Sequence, residues 1–80
     1  MKKEEKIKQR MYDSQLEAMW GLREIRELSG LTQEDVARKM GTHNIYISQL
    51  ENGKLGLKFS ILRRYALACG AKISLVVSEA

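Results

Sequence analysis

Gly30, Gly41, Gly53 and Gly70 cut the chain into short segments, each closing where a helix would end. Between them the apolar residues recur mostly at helical spacing, and no proline adds a further break. With 80 residues the chain is sized for one domain, and it buries roughly 60% of its unfolded surface, so each inward position matters. With 44% hydrophobic and 30% charged residues it has the composition of a folded, mainly helical protein.

The segments predict the following order. Residues 1–13 form a charged extension whose Lys/Glu-rich start either prolongs a helix or stays disordered. Leu16, Met19, Leu22, Ile25 and Leu28 recur every three residues and predict a first core helix over 14–29, capped by Asp13 or Ser14. Trp20 is expected to pack at its edge. Thr32 with Asp35 three residues on predicts a short capping box opening a second helix, with Val36, Ala37 and Met40 turned inward. After Gly41, Thr42 or His43 caps a third helix over 44–51 that buries Ile47 and Leu50. Phe59 before Ser60 suggests a hydrophobic staple ahead of a helix reaching Cys69, with Leu62, Tyr65, Ala66 and Cys69 inside. Residues 14–70 thus form the helical domain. In 71–80 the period changes: Ile73, Leu75 and Val77 alternate with more polar neighbours, the pattern of a strand. The expected fold class is all-α, a bundle of about five helices with one C-terminal β-strand.

The charges are unevenly spread. Residues 1–35 carry seven Lys/Arg against eight Asp/Glu, whereas residues 36–80 carry seven against two. A basic half suits a polyanionic partner, and equally a solvated basic surface. The single cysteine, Cys69, excludes an internal disulfide and is expected to be a small core residue. The charged N-terminus has no apolar stretch of the secretory kind, and no apolar run approaches the ~20 residues that span a bilayer. A cytoplasmic protein without membrane contact is expected. There is no metal-ligand spacing, no phosphate loop and no nucleophile beside a base, so no cofactor, metal or catalytic residue is expected and an enzyme is disfavoured.

Two short helices joined by a glycine-containing turn make a helix-turn-helix, which can present the second helix to a DNA major groove. Leu31-Thr32-Gln33-Glu34-Asp35-Val36-Ala37, then Gly41, then Ile47-Ser48-Gln49-Leu50-Glu51-Asn52-Gly53, resembles the Xre family of phage repressors, Cro proteins and related bacterial regulators. The resemblance spans about residues 20–70 and implies a lambda-repressor-like domain that binds double-stranded DNA. It assigns base contacts to Asn44, Ile45, Ser48 and Gln49. Their chemistry suits the task, since Asn and Gln pair bidentately with adenine and an aliphatic packs on a thymine methyl. It assigns phosphate contacts to Gln33, Asn52 and Lys54, with Lys58 and His43 as further candidates. Tyr46 either offers its hydroxyl to phosphate or packs half-buried. His43 departs from the family, which commonly has a small hydroxyl residue there, so His43 caps the helix, touches phosphate, or leaves capping to Thr42. The resemblance also implies a structural ion pair between Arg26 and Glu51 that orients the recognition helix.

A lone strand has no partner for its backbone, and pairing with a second copy would supply one. Ile73, Leu75 and Val77 are therefore expected to hold a homodimer with help from the last helix, unless the tail folds back on its own domain. A helix-turn-helix followed by a terminal strand is also similar to antitoxins of the HigA and HipB types, which repress their own operon and bind a toxin protein. On that resemblance the charged N-terminal extension is a candidate toxin-binding segment.

Overall fold

The computed structural model describes residues 2–80, which fold into four helices: α1 (Lys3–Leu28), α2 (Gln33–Met40), α3 (Asn44–Glu51) and α4 (Phe59–Cys69). There are four helices among the described residues rather than about five, and the charged extension takes the first of its two expected courses, continuing into the first core helix without a break. Its Glu, Lys, Gln and Arg residues are good helix formers, and nothing halts the ladder before Ser29 and Gly30. Neither Asp13 nor Ser14 caps a helix. Gln9 donates to the Asp13 carboxylate at 2.9 Å and the Ser14 hydroxyl to the Arg10 carbonyl at 3.0 Å, both one turn apart within α1.

The inner face of α1 also differs from the three-residue pattern. Steps of three fall about 60° short of a full turn, so the series winds off the face that Met19 and Leu22 begin. Met19 and Leu22 are buried, Leu16 is half-buried, and Ile25 and Leu28 turn outward, Leu28 at 80% exposure. Arg26 takes the third inward place. Trp20 is more than half exposed rather than packed.

The remaining helices follow from local chemistry. Thr32 caps α2 reciprocally: its hydroxyl accepts from the Asp35 N–H at 3.0 Å, and its own N–H donates to the Asp35 carboxylate at 2.8 Å. The bond from the Thr32 N–H, with the Thr32 hydroxyl and Arg38 beside the group, holds the Asp35 carboxyl below its ordinary range. All four helices end alike, with paired backbone bonds closing over a left-handed glycine; at α2 the Gly41 N–H meets the Arg38 carbonyl and the Thr42 N–H meets the Ala37 carbonyl. At α4 Phe59 is not the staple. The helix starts at Phe59 itself, which is half exposed, and Leu57 in the preceding loop takes the buried place instead. The Gln15 amide fixes that loop by donating to the Leu57 carbonyl at 3.0 Å.

The helices enclose one core. Met19 and Leu22 of α1, Val36, Ala37 and Met40 of α2, Ile47 and Leu50 of α3, and Leu62, Tyr65, Ala66 and Cys69 of α4 meet within it. Small Ala37 lets α2 approach its neighbours α3 and α4.

No strand forms among the described residues; 71–80 is irregular. An alternating segment becomes a strand only when a neighbour accepts its ladder bonds, and no second strand is present among the described residues to do so. The tail instead runs beside the first turns of α1, where Val76 and Val77 border a groove with Ile7, Arg10, Met11 and Ser14. Ile73 packs against the core, whereas Leu75, Val76 and Val77 are exposed.

Candidate nucleic-acid interface

The turn between α2 and α3 is set at Gly41, whose φ of 70° lies in the left-handed region where a side chain is strained. Three residues, Gly41 to His43, then redirect the chain. His43 holds the cap position of α3 in an extended conformation, but its side chain makes no cap bond. The first amides of α3 are therefore left open, at the end of the helix that attracts anions.

α3 is divided lengthwise. Ile47, Leu50 and Glu51 are buried; Asn44 and Ile45 are exposed, Ile45 at 71%, while Ser48 and Gln49 are partly exposed. Asn44 and Gln49 make no side-chain hydrogen bond among the described residues, so their amides remain free. Asn52 is exposed but partly engaged, its amide donating to the Ser48 carbonyl at 2.8 Å. Tyr46 is half-buried against the core. Gln33 and Asn44 share the rim of one open depression between the start of α2 and the start of α3, which Arg26 also borders. Lys54 and Lys58 stand exposed in the loop after α3, Lys58 at the start of α4.

Beneath this face lies a buried polar network. Arg26 meets both Glu51 oxygens, through Nε at 2.8 Å and a terminal nitrogen at 3.0 Å. Its other terminal nitrogen donates to the Leu31 carbonyl at 2.8 Å, tying the α1–α2 connection to the same point. The Tyr65 hydroxyl also donates to Glu51, and Gln33 donates to it at 3.0 Å. Arg26 is 7% exposed and Glu51 is 1% exposed. Burial raises the Glu51 carboxyl, but bonds from Arg26, Tyr65 and Gln33 outweigh it and hold the group below its ordinary range. Burial likewise opposes the Arg26 charge, and Glu51 reverses the effect. Burial, reinforced by the Glu51 charge, pushes the Tyr65 phenol far above its usual value. The pair therefore stays ionised near neutral pH and ties the base of α3 to α1, α2 and α4 at once.

Two members of this network escape a sequence reading. Tyr65 reads simply as core, although a buried tyrosine needs a partner for its hydroxyl. Gln33 reads as a phosphate contact; one amide hydrogen is engaged by Glu51, leaving its second for another acceptor. Arg23 also lies 3.7 Å from Glu51.

Short α2, left-handed turn, short α3 with one free polar face: this geometry is matched by a helix-turn-helix family model over residues 22–76. The chain belongs to the Xre/Cro-type helix-turn-helix family. Searches of curated proteins and of solved structures returned no match. As a helix-turn-helix protein it is a DNA-binding transcription regulator, from a family of regulators rather than of enzymes. Among the described residues no helix is long and apolar enough to cross a membrane. The match begins inside α1, so the first turns of that helix lie outside the part common to the family.

Proposed function

We propose that this helix-turn-helix protein is a sequence-specific repressor that acts as a homodimer on a near-palindromic operator. One observation carries the reading: α3 is anchored by its buried face and leaves Asn44, Ile45, Ser48 and Gln49 on the other side. Asn44 and Gln49 read adenine edges and Ile45 meets a thymine methyl. The open amides of α3, the free hydrogen of Gln33, and His43, Tyr46, Asn52, Lys54 and Lys58 hold phosphates and fix the register.

Within residues 36–80 the acids are Glu51, which is buried and paired, and Glu79 near the end of the tail, so the exposed charge there is mainly cationic. A dimer places two copies of α3 about 34 Å apart, one helical turn of DNA. Its proposed joint is the tail, where Leu75 and Val77 are exposed and Ile73 holds the segment to its own core.

Selection of bound sequences from random DNA tests half-site reading, symmetry and spacing together. Enrichment of a two-fold motif supports the reading; enrichment of none overturns it. A Leu75→Ser, Val77→Ser double variant that sediments as a monomer supports the tail as the joint, and one that remains dimeric refutes it.

An antitoxin that also binds a toxin protein is the second reading. The observation favouring it is the exposed, helical start of α1, which extends beyond the family match. Co-purification of a partner encoded beside the gene tests it.

A further inference from the structure

α1 has a second face that the fold covers only in part, where the tail runs beside its first turns. Ile7, Met11, Ser14, Ala18, Gly21, Ile25 and Leu28 alternate in steps of four and three, the spacing of a coiled-coil seam. The seam is centred about 120° round the helix from Met19 and adjoins the core face at Leu22. Of its large members Ile7 is half-buried, whereas Met11 is 58% exposed, Ile25 39% and Leu28 80%. Gly21 sits mid-helix, the poorest place for glycine, and a Cβ there would meet nothing within 4 Å. No contact within the chain accounts for the missing side chain. A close approach from outside does.

The edge of the seam says what approaches. Lys3 and Arg10 lie along it in the first half of α1, Glu17 and Glu24 in the second. All four are exposed, and none has an ion-pair partner among the described residues. A second α1 running antiparallel sets the basic half of one copy against the acidic half of the other; in a parallel pair this flank would instead face Lys8, Gln15, Leu22 and Ser29, which offer it no opposite charge.

We propose that a second copy of this chain packs its α1 antiparallel along this seam. Overlaid along their full length, the helices set Ile7 of one copy against Ile25 of the other, Met11 against Gly21, and Ser14 against Ala18. Small residues occupy the middle, where the helices come closest, and Met11 fills the space over the glycine. The groove between the first turns of α1 and Val76–Val77, about 440 Å³, receives Ile25 and Leu28 of the other copy. The inference rests on the homodimer reading but names a joint other than the tail alone.

The test is sedimentation of the full chain and of Gly21→Gln, which supplies a better helix former while filling the seam. Gly21→Gln is expected to keep or raise the melting temperature and to weaken self-association by roughly tenfold or more. Undiminished association of Gly21→Gln overturns the seam. A wild-type chain that is monomeric at all concentrations sinks both this seam and the tail joint. Orientation is read separately by mixing Ile7→Cys with Ile25→Cys copies under mild oxidation, with the native Cys69 buried away. A disulfide-linked dimer in the mixture, exceeding that of either variant alone, is expected. Its absence overturns the antiparallel register.

Discussion

At Glu51 a single carboxylate joins the reading helix to three other helices. Replacing it with Gln removes the charge that keeps Arg26 ionised inside the protein. Glu51→Gln is expected to lose about 3–5 kcal/mol in urea denaturation, the range for breaking a buried pair. Exchanging both members together, Arg26→Met with Glu51→Leu, is expected to be far milder, because no buried charge is then left alone. The carboxyl is depressed in the folded state, so its contribution is complete above the ordinary value of 4.5 and disappears as pH falls through the lower folded value. Wild-type stability is therefore expected to decline below pH 4.5, and Glu51→Gln to show a flatter acid limb over the same window. On the reading side, Asn44→Ala is expected to lose about 1–3 kcal/mol of operator affinity with unchanged melting. Full affinity in that variant would remove Asn44 from the readers. The sequence marks Arg26 and Glu51 only through the family resemblance; spacing by threes favours Ile25 over Arg26, yet a paired arginine can take an inward place that an apolar residue would otherwise fill.

Among the elements, α2 and α3 are legible because their signals are local. Thr32 and Asp35 announce the start of α2, Gly41 its end, and Asn52-Gly53 the end of α3. Thr32→Ala is expected to cost about 1 kcal/mol by thermal melting, the usual value of a lost cap. Gly53→Ala should be worse, since a left-handed φ of 68° strains any side chain and the added Cβ would stand 2.7 Å from Leu16 Cδ2. The left-handed conformation alone accounts for about 1–2 kcal/mol. The start of α1 is not legible in the same way, because a Lys/Glu-rich stretch carries no mark separating helix from coil; continuity with a packed helix decides it. The tail fails for the opposite reason. Alternation is a local pattern, but a strand is a relation between two segments, and this chain has only one.

For the whole molecule, the uneven charge predicts how binding responds to salt. Affinity is expected to fall linearly on a logarithmic plot as salt rises, with a slope close to the number of phosphates engaged. Lys54→Gln should weaken binding to operator and random DNA alike and reduce that slope by about one. A variant that lost operator binding selectively would place Lys54 among the base readers instead. The outline of the domain could be foreseen, since 44% apolar residues in glycine-bounded segments leave few other arrangements. What lies outside the domain core, the long first helix and the path of the tail along it, depends on contacts between distant parts of the chain.

The lengthwise division of α3 has a consequence for ancestry and engineering. On the proposed reading, residues that choose an address are not those that hold the scaffold upright, so four outward positions can be rewritten with little debt to folding. A lineage with this architecture can acquire new targets by drift on one surface, and a designer can graft another specificity there while leaving Arg26, Glu51 and Tyr65 in place.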